Sequence, residues 1–173
     1  NDWKKSYPEF DKKISINISG EQFNHNNFED RVLQILRESD AEPRYLEFEI
    51  VEDALLLNIE RTIRIINRFK ELGITFSIDD FGTGYSSMNY LKRLPVDYLK
   101  IDREFLIDLQ REKNKELVRM IVQTSHIFGL ACVAEGVENE QTLSFLREIG
   151  CDYYQGYLFS KPLPPQEAAR FLV

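Results

Sequence analysis

Apolar and polar positions along this chain follow two periods that take turns. Short runs rich in β-branched and aromatic residues occur at Lys13 to Ile18, Tyr45 to Ile50, Thr75 to Asp79, Tyr98 to Asp102, Ala131 to Glu135 and Tyr153 to Phe159. These runs predict six strands. Between them the spacing widens to the helical three-to-four, predicting helices over Phe28 to Glu38, Asp53 to Leu72, Ser86 to Arg93, Lys113 to Phe128 and Glu140 to Ile149, with a last helix from Pro165 to the end. In the second of these, Leu57, Ile59, Ile63, Ile66 and Phe69 fall roughly on one face. Three helices close on a glycine (Gly73, Gly129 and Gly150), and after one further residue the next strand begins. Glycine just past a helix end accepts the left-handed conformation that caps the last carbonyls, so these are αβ junctions.

Strand and helix alternating this regularly mean parallel strands joined by crossovers, an α/β fold. A doubly wound sheet would carry a Gly-rich first turn, yet neither Gly-x-Gly-x-x-Gly nor a Gly-Lys-Ser/Thr loop occurs. A barrel instead gathers polar chemistry at the C-terminal ends of several strands. Asn17, Glu49, Asp79 with Asp80, Lys100 with Asp102, Glu135 and Gln155 each stand at or near such an end. The expected architecture is therefore a modified (β/α)8 TIM-like barrel. A full barrel takes about 250 residues, and six strands in 173 residues leave two to be supplied. Residues 1–173 are expected to form one domain, and Asn1 in place of methionine leads to the expectation of a piece cut from a longer chain.

Composition narrows the function. The net charge is −7, with 43% of residues apolar and 29% charged, which suits a core-forming chain and gives no basic footprint for a DNA or RNA duplex. No run approaches the ~18 apolar residues of a membrane span, so no membrane contact by this segment is expected. Cys132 and Cys151 match neither a disulfide framework nor a zinc spacing, and a reducing, cytoplasmic setting is expected. A phosphate ligand would need a cation to mediate.

The sharpest segment is Asp79-Asp80-Phe81-Gly82-Thr83-Gly84-Tyr85-Ser86-Ser87. Adjacent strand residues point to opposite sides, so two acids can serve one site only if the backbone turns there, which the glycines permit. Paired carboxylates in such a loop suit hard divalent cations; the alternative is a helix N-terminus with aspartate as its cap. Asp80-Phe81-Gly82 also spells a kinase magnesium motif, but the rest of the kinase set is absent. Glu47 and Glu49 share a strand face, with Glu52 at the following turn, and taken singly read as surface residues. Lys100 and Asp102 share a face and taken singly read as a structural ion pair. Glu135-Gly136-Val137-Glu138 puts an acid directly after an apolar strand. His25 and His126 stand alone and are expected to have no catalytic part.

Taken together, Asn17-Ile18-Ser19, Glu49-Ile50-Val51-Glu52, the Asp79 to Ser87 segment, Lys100-Ile101-Asp102, Glu135-Gly136-Val137-Glu138 and Gln155-Gly156-Tyr157 resemble, in order and spacing, the EAL domain family of bacterial cyclic di-GMP phosphodiesterases. The resemblance runs from Lys13 to Pro162. It implies hydrolysis of one phosphodiester of cyclic di-GMP to the linear dinucleotide pGpG with Mg2+ or Mn2+ in a two-metal site. It implies Asn17, Glu49, Asp79 and Asp80 as metal ligands, Glu135 as a further ligand or water-activating group, and Lys100 as the holder of the attacking water or phosphate. Glu138 and Gln155 would complete the substrate site by hydrogen bonds. Glu52 would anchor the loop Phe81 to Ser87, which the family ties to dimerisation and activity.

The sequence departs from the family in two places. It holds no Glu-Ala-Leu triplet, the family's first-strand metal motif, which matches the two missing strands; Val51 stands where threonine is usual. Three functions follow: a phosphodiesterase domain, a receptor that binds cyclic di-GMP without cutting it, or a protein-interaction module. Unpaired sheet edges lead to the expectation of a homodimer or of a strand supplied by another chain. Fused sensor or cyclase domains are expected partners in the longer protein.

Overall fold

The computed structural model describes residue 3 and residues 11–82 and 88–171. Six parallel strands lie in one sheet in the order of the sequence: β1 (Ile14–Ile18), β2 (Leu46–Val51), β3 (Thr75–Phe81), β4 (Tyr98–Ile101), β5 (Ala131–Ala134) and β6 (Tyr153–Tyr154). A doubly wound sheet reverses its strand order at a switch point. Strictly sequential order is the winding of a barrel, and the sheet is an open, curled six-strand part of one.

The helices are α1 (Gly20–Asn24), α2 (Phe28–Ser39), α3 (Glu52–Leu56), α4 (Ile59–Glu71), α5 (Met88–Leu91), α6 (Glu104–Ile107), α7 (Glu112–Ile127), α8 (Glu140–Glu148) and α9 (Pro165–Ala168). Phe69 of α4 packs edge-on to Phe48 of β2, with ring centroids 6.1 Å apart, and Phe48 meets Phe76 of β3 at 5.6 Å. That contact fixes the helix-facing side of the sheet. Phe48, Ile50, Phe76, Ile78, Leu99, Ile101, Cys132 and Ala134 all point to it and are buried. Side chains alternate along a strand, so Glu47, Glu49, Ser77, Asp79, Lys100 and Glu135 are turned to the barrel interior. One set of alternating positions builds the core and the other builds the site.

Gly73, Gly129 and Gly150 all have positive φ, as the αβ junctions require. Several boundaries differ from expectation. The helix expected over Asp53 to Leu72 is broken at Asn58, whose side chain accepts the Arg61 N–H at 3.1 Å and starts α4 afresh. Leu57, expected on the apolar face, is 76% exposed at the break. The strand expected over Tyr153 to Phe159 ends at Tyr154, because the Phe159 and Ser160 N–H groups turn back to Gly156 O. β3 runs two residues further than expected, to Phe81. The expected helix Ser86 to Arg93 is described as Met88–Leu91, with Ser86 and Ser87 outside the described residues. The last helix is short, passing into a 3-10 turn over Ala169–Phe171. An unexpected helix, α1, is opened by a capping box. The Ser19 hydroxyl accepts the Gln22 N–H, and the Gln22 side chain accepts the Ser19 N–H.

Candidate active site

Lys100 is the centre of the site. It stands on β4 with its side chain 4% exposed, and its ammonium meets Glu135 Oε1 at 2.6 Å, Glu49 Oε2 at 2.7 Å and Asp79 Oδ1 at 3.3 Å. These come from the ends of β5, β2 and β3, so four neighbouring strands converge on one point. Burial alone would lower the lysine's pKa; hydrogen bonds to Glu135 and Glu49, then the charges of Glu135 and Asp79, raise it above its ordinary value. Lys100 is therefore a fixed cation. The reading of Lys100 with Asp102 as a structural ion pair is corrected: Asp102 instead accepts the Glu104 N–H at 2.7 Å.

Asp79 and Asp80 are brought to one side by the backbone. The β3–β4 register shifts between Ile78 and Phe81, and Asp80 itself adopts φ 55°. The turn expected of the following glycines is thus made at an aspartate, a residue type that tolerates the left-handed region better than most. Asp80 and Asp102 come within hydrogen-bond reach, and the Asp80 carboxyl is pushed up by burial, then by the charges of Asp79 and Asp102. Burial also raises the Glu135 carboxyl, which Lys100 offsets only in part. Asp79 Oδ1 is shut off from solvent and lacks hydrogen-bond geometry to any donor, Lys100 included.

The remaining expected residues are spread around this centre. Asn17 lies on the edge strand, exposed, in register beside Glu49. Glu52 is buried at the start of α3, and its Oε2 accepts the Gly82 N–H at 3.4 Å; of the loop Phe81 to Ser87 that it was expected to anchor, residues 83–87 lie outside the described residues. Glu138 and Gln155 are exposed at the rim, and neither pairs with Lys100. Among the described residues no group of three His, Cys, Asp or Glu side chains is set to hold a metal ion; Glu49, Asp79 and Glu135 are instead gathered on the Lys100 ammonium. The surface reading of Glu47 and Glu49 is corrected: both are buried, at 9% and 8% exposure. Glu47 was missed as a site residue. Burial raises its carboxyl, and its alternation with Glu49 was the available signal. His126 pairs with Asp152 at 2.9 Å near the start of β6, far along the sheet from the rim.

The EAL domain family matches residues 1–162, and the chain belongs to that family. It is 43% identical over 161 residues to the cyclic di-GMP phosphodiesterase NbdA of Pseudomonas aeruginosa, covering 92% of this chain and 21% of that protein. It is 36% identical to the cyclic di-GMP phosphodiesterase PdeR of Escherichia coli, covering 88% of this chain and 23% of that one. Among solved structures, the PaMucR phosphodiesterase in complex with c-di-GMP superimposes with a TM-score of 0.85 at 38% identity, over 90% of this chain and 63% of that one. The EAL enzyme Bd1971, bound to cAMP and cyclic-di-GMP, gives 0.90 at 32% identity, over 99% and 47%. The fold is thus the EAL TIM-like barrel. The chain spans about a fifth of the length of the curated relatives it matches. No helix among the described residues is long and apolar enough to cross a membrane.

Proposed function

We propose that this chain is a catalytic part of a cyclic di-GMP phosphodiesterase that uses divalent cations to hydrolyse one phosphodiester to pGpG. The observation that carries the proposal is the convergence of Glu49, Asp79 and Glu135 from three strands on buried Lys100. An acidic pocket repels a phosphodiester, so the pocket and the substrate both need cations.

Two features support Mg2+ or Mn2+ here. Asp79 Oδ1 is a buried carboxylate oxygen without a hydrogen bond, and Asp80 and Asp102 face each other at hydrogen-bond reach. Both are relieved by a hard cation, and an all-oxygen donor set selects Mg2+ or Mn2+ over zinc. Asn17, Glu49, Asp79 and Asp80 would hold the ions. When bound, two such ions neutralise the phosphate and lower the pKa of bound water. Glu135, whose carboxylate lies 2.6 Å from the Lys100 ammonium, would take the water's proton. Lys100, a permanent cation, holds Glu135 in place and faces the charge that builds on the phosphoryl oxygens. Glu138 and Gln155, exposed at the rim, are placed to bind the nucleotide, and Glu52 steadies the start of the loop after β3 through Gly82.

The alternative is a receptor that binds the nucleotide without cutting it. Incubation with cyclic di-GMP and Mg2+ or Mn2+, followed by chromatography and calorimetry, separates the two. Conversion to pGpG supports the enzyme; binding with the nucleotide recovered intact supports the receptor. Indifference to the nucleotide overturns both and leaves an interaction module. A homodimer, cytoplasmic placement, and fused sensor or cyclase domains belong to the same proposal. For the dimer the support is the edge strand β1, where Ile14 and Ile16 are 42% and 39% exposed.

A further inference from the structure

We propose that a backbone clasp between Val137 and Gly156 pins the end of β5 and so holds Glu135 in the inward direction that strand alternation gives it, which makes Gly156 a positioning residue for the reaction proposed above. The β5–β6 pairing reaches Ala134 and Tyr154, and the Gln155 N–H continues it by donating to Ala134 O at 2.8 Å. A regular parallel ladder would take its next rung from the Gly136 N–H. Instead the Val137 N–H donates to Gln155 O at 2.9 Å, and Val137 O accepts the Leu158 N–H at 3.0 Å. Two residues, Glu135 and Gly136, thus stand opposite Gln155 where a regular ladder has one. On the other side the Glu135 N–H continues the β4–β5 ladder, donating to Ile101 O at 3.1 Å as the Ala131 N–H does to Asp97 O, and its carboxylate reaches Lys100. Glu135 is therefore the last regular residue of β5, and the bulge begins directly after it.

Gly156 holds the bulge in place by having no side chain. Its φ is not positive, so any residue could adopt its backbone conformation. A Cβ there, however, would lie 2.2 Å from Val137 O and 2.3 Å from Val137 N, and backbone atoms cannot swing aside as a side chain tip can. Gly129 and Gly150 are the opposite case, with positive φ and no atom within 4 Å of an added Cβ. Val137 is fully buried, which fixes the other half of the clasp. The far side of the bulge is equally tight: Gly136, at φ 72°, would bring a Cβ within 2.5 Å of Arg103 Cβ. Glu135 is thus held between two close approaches.

The inference rests on the proposed phosphodiesterase activity only for its effect on turnover. The test uses Gly156→Ala and Val137→Ala, with Gly129→Ala as a strained control at the other end of β5. Hydrogen exchange reads the clasp without substrate. The Glu135 amide is expected to exchange about tenfold faster in Gly156→Ala and Val137→Ala than in the unsubstituted protein or Gly129→Ala. In cyclic di-GMP hydrolysis, kcat is expected to fall on the order of 100-fold in Gly156→Ala, with KM changed far less, because a misaimed Glu135 spoils the reaction more than binding. Val137→Ala, which adds no atom, keeps the test open if Gly156→Ala fails to fold. Equal Glu135 exchange in all folded variants overturns the clasp, as does a kcat in both clasp variants within about twofold of Gly129→Ala. If the unsubstituted protein turns over no cyclic di-GMP while the exchange pattern holds, the function falls and the clasp stands.

Discussion

Replacing Lys100 by methionine keeps most of the unbranched apolar stem and removes the one ammonium on which Glu49, Asp79 and Glu135 converge. At 4% exposure the lysine is nearly out of water, so its contacts are little screened. Breaking a buried pair by removing one partner costs about 3–5 kcal/mol, because the remaining charges are left uncompensated. Here three carboxylates lose a shared partner, which places the expected loss at the upper end of that range. For a chain of this size about 1 kcal/mol corresponds to roughly 2–4 °C in Tm, so a loss of about 5 kcal/mol should lower the melting point by about 10–20 °C. Chemical and thermal unfolding in the presence of a chelator reads this, since no added cation then stands in for the ammonium. Lys92→Met, at an exposed position, should stay within about 0.5 kcal/mol of the parent. A Lys100→Met loss below about 1 kcal/mol would refute the reasoning, because the carboxylates would then be stable together without a central cation.

Other outcomes are expected. Asp79→Asn should keep the fold, weaken Mg2+ binding in calorimetry and lower turnover by on the order of 100-fold or more; unchanged kinetics would remove Asp79 from the site. Asp152 is tied to the Cys132 N–H at 2.7 Å and to His126. Burial works against its charge, but these contacts win and hold its carboxyl below the usual value. A depressed carboxyl adds stability above its unfolded pKa that is lost as pH falls through the folded one. Asp152→Asn should therefore flatten the acid limb of the stability curve; an unchanged limb would discount the contact. Light scattering at high concentration should give a dimer, and a monomer at every concentration would leave the β1 edge unpartnered.

Much of the fold was legible because one alternation does two jobs. Phe48 and Ile50 face the helices while Glu47 and Glu49 face the interior, and a period of two announces both. The barrel followed from where the polar residues stood, and the sequential strand order agrees with it. What the sequence concealed depends on backbone detail. Nothing in the pattern around Asn58 distinguishes a mid-helix asparagine from one that restarts a helix by capping Arg61. Tyr157 and Phe159 have strand-forming side chains, yet the chain turns back at Gly156, whose O accepts the Phe159 and Ser160 N–H groups. The alternation put Glu47 and Glu49 on one face, but that this charged face is the buried interior of a barrel and not a solvated surface appears only when the strands are assembled. The partner of Lys100 was misplaced for the same reason. Asp102 is two residues away on the same strand, whereas the carboxylates that bind the ammonium come from neighbouring strands.

The most direct test of the central claim is mass spectrometry of cyclic di-GMP incubated with this chain and Mg2+ in 18O-labelled water. The account expects pGpG carrying a single 18O in its terminal phosphate, with the signal lost in Asp79→Asn. Recovery of unlabelled, intact cyclic di-GMP from the unsubstituted chain would contradict it.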